Sequence, residues 1–537
     1  MVLVLCMIFL AVFSVLAVSL ASFTDLHLQC VHNDTRAHDA RFAAESGLEC
    51  AKYLVRAVPL DSSGYNYITD EQANKVWTDL LAYLQTQALD GRTVPAAARF
   101  QDDRGSGDRI QLAAMDLGDP QVRFSLCFYR YDDDLLTLKV RSVGLADQVS
   151  RTLGMDLEIT KDSEVLDYAI ASRGRMWLTG DTLVHGDIFS AWNRASVAPF
   201  TMTSDSAVRG TINTVLTRAQ MAAYHYQLET LNGDGLPVDA YGNPLDANYE
   251  DRYYSETDLI QGYHEGIHYG QTAGSMPGMS ISDYHTDCYN QGLADIPTCP
   301  TADREVEYFP HAAGHYNLPR DGTTWSTSNL KLTRHVYEDQ TLTNVRVPDG
   351  RNALFRDCTF EGILYIDCSE TRTSTSYCNN VRFENCTFNG VIVTAVPRSF
   401  QWMYNCLYFT GSAEFDNQSA VQEATILAPH FNVNLGNTNP EQSDNNVLTG
   451  AIVGGIVDVR GNAQINGTII SMCDTSAWTS GYVTNIGATL DDGGSETTEL
   501  GDVGVISITP EQDQMLPSGI TSPIVIRPRP ETYTEGI

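Results

Sequence analysis

The first 23 residues carry no Asp, Glu, Lys or Arg. Basic residues are scarce throughout: 34 Lys and Arg stand against 67 Asp and Glu, a formal net charge of −33. That balance excludes nucleic acid or an anionic membrane surface as an expected partner of the folded body, since both would repel it. No C-x-x-C pair occurs among the 12 cysteines, which argues against a zinc ribbon or a thioredoxin-like site. The sequence also lacks G-x-S-x-G, a P-loop and any ordered catalytic triad. No proline interrupts residues 25–58, and Gly47 is the single glycine there. A segment so free of breakers reads as one long helix.

The opening, MVLVLCMIFLAVFSVLAVSLASF, has only Ser14, Ser19, Ser22 and Cys6 as polar side chains. At 1.5 Å per residue it can cross a hydrocarbon core of about 30 Å. A cleaved export signal is the alternative: AVSLAS offers small residues for cleavage, but the basic leading flank is missing. The residues after Phe23 favour continuity. Phe42, Leu48 and Tyr53–Val55, with Ala filling the gaps, mark one face, while Asp34, Arg36, Asp39, Arg41, Glu45, Glu49, Lys52 and Arg56 occupy the other. The pattern predicts a helix of about 55 residues that ends before Pro59. On such a helix Cys30 and Cys50 lie about 30 Å apart and cannot pair.

A long apolar helix running into RFAAESGLECAKYL resembles the N-terminal region of PilX-type minor pilins and of type II secretion minor pseudopilins. The AAESGLE stretch, residues 43–49, carries the likeness, which covers about the first 60 residues and, more loosely, the first 160. The resemblance implies a helix that first anchors the subunit in the inner membrane and then packs among other subunits' helices in a filament. Apolar helices can exchange lipid for one another in this way. The sequence departs from the major-pilin pattern: no leader glycine precedes the apolar run, and Leu5 stands where a major pilin has glutamate.

After Pro59 the pattern predicts a helix from Thr69 or Asp70, with Val76, Leu80, Leu81 and Leu84 as its apolar stripe. A hairpin turning at Asp132–Asp134 and a further strand over 148–160 come next. This helix-plus-small-sheet arrangement over 58–168 matches the pilin-like expectation. Beyond it the texture becomes repetitive. Val184–Gly186–Ile188 and Val208–Gly210–Ile212 repeat at a spacing of 24 residues, and Ile465–Gly467–Ile469 repeats the unit. Residues 354–366 and 382–394 align without gaps, with Phe355/Phe383, Cys358/Cys386, Phe360/Phe388 and Gly362/Gly390 each 28 apart. Residues 402–411 form a looser copy. Such spacings predict coils of a parallel β-helix, and the pattern resembles right-handed parallel β-helices and bactofilin-like solenoids.

Four constellations invite chemistry. The first, His264–Glu265–Gly266–Ile267–His268, fits the zinc motif H-E-x-x-H. Glycines at 262, 266, 270 and 274 oppose the helix this motif needs, and no third ligand stands at the expected spacing. Asn232, Asp234 and Asp239 suggest a calcium turn, although Thr230 and Tyr241 break the EF-hand pattern. Asp357, Asp367, Glu361 and Glu384, near Arg356 and Arg382, stand on the rungs where β-helix enzymes place carboxylates; at alternate positions they read as solvated faces. Cys288 and Cys299 flank a proline-containing loop and could close a small disulfide. The sequons at Asn33, Asn385, Asn417 and Asn466 carry no weight alone.

The sequence therefore predicts a multidomain α+β chain. It comprises a transmembrane and amphipathic pilin-like helix (1–57), a pilin-like domain (58–168) and first β-helix rungs (169–215). A loop-rich insertion (216–330), a parallel right-handed β-helix (331–480) and a capping or flexible tail (481–537) complete it. No catalytic, cofactor-binding or metal-binding residue and no cofactor is assigned. The expected role is structural, not enzymatic: a minor-pilin-like subunit in the cell envelope, held by one inner-membrane span or built into an extracellular filament. Its expected partners are other pilin-like subunits, the membrane and a carbohydrate or surface ligand on the solenoid. The alternatives are an anchored polysaccharide-acting β-helix enzyme and a zinc hydrolase built on His264 and His268.

Overall fold

The computed structural model describes the chain except residues 66, 87–95, 195–198, 223–229, 232–236, 239–259, 273–275, 277–288, 309–330, 369–378, 397–404, 416–423, 436–445, 460–461, 473–482, 488–504, 511–515 and 537. It divides into two units. One comprises Met1–Ser63, Tyr67–Lys161 and Pro523–Ile537; the other comprises Gly64–Asn66 and Asp162–Ser522.

The first unit is built on one unbroken helix, α1 (Val2–Arg56). Only its C-terminal part is packed: Ala40, Ala43, Ala44, Gly47, Leu48, Ala51, Leu54 and Val55 are buried. They face an antiparallel sheet that contains, in spatial order, the strands Ser522–Glu535, Val149–Lys161, Asp134–Ala146, Val122–Tyr131, Gly105–Gln111 and Ala98–Asp102. The central strands alternate as a one-sided sheet must. Leu126, Phe128, Leu138, Val140, Leu153, Leu157 and Ile159 turn inward and join Leu48, Leu54 and Val55 in one core. A second helix, α2 (Asp70–Thr86), adds Val76, Trp77, Leu80 and Leu84. Its first turn is closed by a reciprocal pair: the Gln72 N–H donates to Thr69 Oγ1 (3.2 Å), and the Thr69 N–H donates to Gln72 Oε1 (2.9 Å). The hairpin turns where expected, with Tyr131 opposite Asp134.

The AAESGLE stretch is explained by how closely α1 lies on the sheet. A β-carbon at Gly47 would overlap Ser142 Oγ and the Phe124 ring. On the facing strand, one at Gly144 would overlap the carbonyl oxygen of Ala40 and the amide nitrogen of Ala44. Small residues on both surfaces let backbone approach backbone.

The C-terminal residues differ from the expected cap. Strand Ser522–Glu535 pairs antiparallel with Val149–Lys161, from Ile524 opposite Lys161 to Glu535 opposite Leu153. Ile524 and Ile526 enter the core beneath α1. Prolines at 523, 528 and 530 hide this strand from a propensity reading, although proline is tolerated at a sheet margin. The sequence of the second unit is therefore inserted between two neighbouring strands of the first.

The second unit is a β-solenoid of almost entirely parallel strands. Its inward side chains form continuous ladders. Along the axis, Val345, Leu364, Ile392, Ile426, Ile452, Ile469, Ile170, Ile188 and Ile212 stand in register, all buried. This order shows that the chain enters the solenoid in its middle. The first coil (168–184) has the 187–208 coil on one side and the final coil (469–509) on the other. The 24- and 28-residue repeats are real rung spacings: Val184 pairs with Val208, and Phe360 with Phe388. A second ladder runs through Tyr337, Phe355, Phe383 and Phe409, with neighbouring ring centroids 5.0, 5.6 and 5.0 Å apart. Phe360, Phe388 and Phe415 stack beside it at 5.1 and 4.4 Å.

Parts of the expected loop-rich insertion belong to this scaffold. Strand Gly266–His268 pairs with Thr211–Thr214 beyond the last coil at one end. At the other end Ala294–Asp295 pairs with Thr341–Val347, and Arg304–Tyr308 lies antiparallel to Lys331–Glu338. Ile296 and Cys299 are buried there, and the Tyr337 hydroxyl donates to the Pro297 carbonyl (2.9 Å). These two ends lie ten strand steps apart, roughly 48 Å at about 4.8 Å per step.

Candidate functional site

The feature most in need of a partner is the free half of α1. From Val2 to Val31 its large apolar side chains point into open surroundings: Leu5 keeps 54% of its surface exposed and Phe13 65%. A soluble monomer rarely leaves an apolar surface of this extent uncovered. The segment is long and apolar enough to span a membrane. No charged side chain interrupts it before Asp25. Where the helix meets the sheet, Arg36 pairs with Asp147 at 2.5 Å, and Asp147 holds a left-handed turn conformation (φ 58°). A shallow notch of about 140 Å³ opens beside this pair, lined in part by His32, Asp39 and Asp119.

His264 and His268 do not meet as a zinc site requires. His268 ends the strand Gly266–His268 and His264 precedes a bend at Glu265, so the two residues are not presented on one turn of a helix as the motif needs. His268 Nδ1 lies 3.2 Å from Asn213 Oδ1, its neighbour on the adjacent strand. Among the described residues no group of three or more His, Cys, Asp or Glu is placed to hold a metal. Asn232, Asp234, Asp239, Cys288 and Asn417 lie outside the described residues. Cys299 is buried with its Sγ 3.3 Å from the Pro300 carbonyl.

The rung carboxylates gather around guanidinium groups. Arg356 donates to Glu305 (2.7 Å), Glu338 (3.1 Å) and Glu384 (3.1 Å), and Arg382 stands 3.9 Å from Glu384. The Arg356 guanidinium holds the Glu305 carboxyl below its ordinary range. The Arg356 pKa is raised in turn, chiefly by Glu305. Glu361 accepts from the Thr343 hydroxyl (2.8 Å). The Asp367 carboxyl accepts the Cys368 N–H (2.9 Å). The thiols of Cys386 and Cys406 are pushed up to about 12 by burial, so they remain protonated and unreactive.

Asp357 has a role that its charge does not announce. Asp339, Asp357, Asn385 and Gly411 follow residues paired in register on successive strands, and all four adopt left-handed backbone (φ 53°, 51°, 52° and 69°). Together they turn one corner of the solenoid. Asp, Asn and Gly are the residues that accept this conformation most readily. Their recurrence after a strand was the available signal. Arg334 was also missed: it is fully buried, and its guanidinium donates to the Asn380 carbonyl (2.7 Å) and side chain (2.8 Å).

The elements define a class: a helix-on-sheet unit, as the pilin-like resemblance leads one to expect, with a parallel β-solenoid inserted into its sheet. No protein-family model matches the sequence, and no curated protein matches it. Among solved structures the chain is similar to the competence-associated pilin ComZ from Thermus thermophilus, at 11% identity and a TM-score of 0.27 over 93% of this chain and 98% of that one. At that score the fold rests on this chain's own elements.

Proposed function

We propose that the protein is a membrane-anchored, minor-pilin-like subunit of a type IV pilus or type II secretion pseudopilus. The free half of α1 rests first in the inner membrane and then among the helices of other subunits. The solenoid is its head, for adhesion, capping or scaffolding. One observation carries this reading: a single helix is bare and apolar over its first half and seated on an antiparallel sheet by small residues over its second. A head of this size suits a minor or tip position, since its repetition at every filament site would clash. The apolar run 1–23 carries no carboxylate, so its entry relies on apolar packing.

The pairing of Glu305, Glu338 and Glu384 with Arg356 supports a non-enzymatic head, since these carboxylates are engaged by arginine instead of converging on a substrate. Val12→Asp tests the reading. A charge in the bare segment costs about 2.5–3.5 kcal/mol on insertion scales. The variant should fail to enter filaments or co-purify with pilin-like partners; normal incorporation would overturn the proposal.

A further inference from the structure

The face of the antiparallel sheet turned away from α1 gathers the charge this chain has least of. Side chains alternate along a strand, so the neighbours of the core residues Leu126, Phe128, Leu138 and Val140 point outward. Register sets Arg109, Tyr129 and Lys139 side by side on three successive strands, with Cys127 and Arg141 paired in the next row. Arg141 lies over the Tyr129 ring, 5.3 Å from its centroid. Phe100 meets Tyr129 and Tyr131 edge-on at 5.2 and 5.4 Å. The three rings are half-buried, and Arg104 and Arg109 are exposed.

Elsewhere on this sheet arginines are paired: Arg99 with Asp108 and Asp132, Arg130 with Asp108. Arg104, Arg109, Lys139 and Arg141 enter no ion pair among the described residues, in a chain with 67 Asp and Glu against 34 Lys and Arg. Lys139 is only 7% exposed, and its ammonium has no hydrogen-bond partner among the described residues. Burial pushes its pKa down, and Arg104 and Arg141 add to this against the nearby Asp102 and Asp156. Asp102 already accepts the Tyr131 hydroxyl (3.1 Å) and the Arg104 N–H (2.9 Å). A buried ammonium without a partner is costly, and a carboxylate from outside would supply one.

Strand Ala98–Asp102 stands last in the strand order beside this patch. Such an edge offers backbone N–H and C=O groups to an extended chain. Ala98 is opposite Arg109, so a carboxylate on an added strand has only a methyl group to cross.

We propose that this face and its edge dock an acidic, extended segment of a partner protein, added as a further strand. Its backbone pairs with Ala98–Asp102, and the four cations select for Asp and Glu. A sugar chain or a nucleic acid would engage the cations but not the strand edge. The docking site does not depend on the pilus reading, since it can hold whether or not Val12→Asp blocks filament entry.

The probe is a fluorescein-labelled octapeptide of alternating Glu and Val, with the Lys and Val octapeptide as its control. Each is titrated into the full-length protein in detergent and followed by fluorescence anisotropy. The acidic peptide should bind, more weakly as salt rises, and the basic one should not. Arg109→Gln/Arg141→Gln leaves the buried Lys139 in place and should weaken binding by about fivefold or more. Lys52→Gln/Lys75→Gln removes as much charge elsewhere and should change binding less than about twofold. Absence of acidic-peptide binding, or equal loss in the two double variants, overturns the proposal. Tighter binding of polygalacturonate or of a single-stranded oligonucleotide than of the acidic peptide also overturns it.

Discussion

Gly47 of α1 lies so close over Ser142 that no β-carbon fits between them. The Ser142 hydroxyl is fully buried and has no hydrogen-bond partner among the described residues. Gly47→Ala should therefore lift the helix, at a cost of about 1–3 kcal/mol for overpacking. The double variant Gly47→Ala/Ser142→Gly should recover part of that loss, limited by the Phe124 ring nearby. Thermal unfolding of the purified proteins measures both, and equal loss in the two would show that Ser142 is not the obstacle.

Phe383 is stacked between Phe355 and Phe409 and meets Phe360 and Phe388 edge-on. Its removal opens a cavity in the middle of two ladders. Phe383→Ala should cost about 3–5 kcal/mol in denaturant unfolding. Phe383→Leu should cost clearly less.

At the solenoid corner, Asp357→Gly should be close to neutral, because the left-handed conformation suits glycine. Asp357→Val should destabilise by about 1–3 kcal/mol, the range for a strained residue. If the two variants unfold alike, the corner does not depend on backbone conformation.

The Arg356 cluster gives acid sensitivity with a defined sign. Glu305 has its pKa lowered in the folded chain from an ordinary 4.5. Its contribution is thus fully present above pH 4.5 and is lost as pH falls through the lowered folded value. Glu305→Gln should flatten the melting-temperature profile below about pH 4.5 and leave the profile near pH 7 nearly parallel to that of the unaltered chain. Glu305 is partly exposed, so the effect should be modest and should shrink in high salt.

Local pattern determined much of the protein. An unbroken run without proline made α1 legible and Gly47 stood out as its one glycine, but the seated face was read only in part: Phe42 and Tyr53 are exposed, and Ala40, Ala43, Ala44, Gly47 and Ala51 are buried with Leu48, Leu54 and Val55. The 28-residue spacing of Phe355/Phe383 and Phe360/Phe388 announced stacked rungs, because each rung needs the same side chain over its neighbour's. The glycines around His264 and His268 already opposed a helical zinc motif. Tertiary structure alone decided the order of the coils. Ile170 stacks on Ile469 on one side and Ile188 on the other, yet any coil with an aliphatic residue at that place would have fitted, so the sequence could not name the neighbour. The same holds for Ile524 and Ile526: two alternating isoleucines among prolines specify a strand only when the open edge of Val149–Lys161 is there to receive them. Repeats and helices are written in near-neighbour spacing. The joining of chain ends and coils far apart in sequence is a choice among near-equivalent surfaces, and only the folded whole makes it.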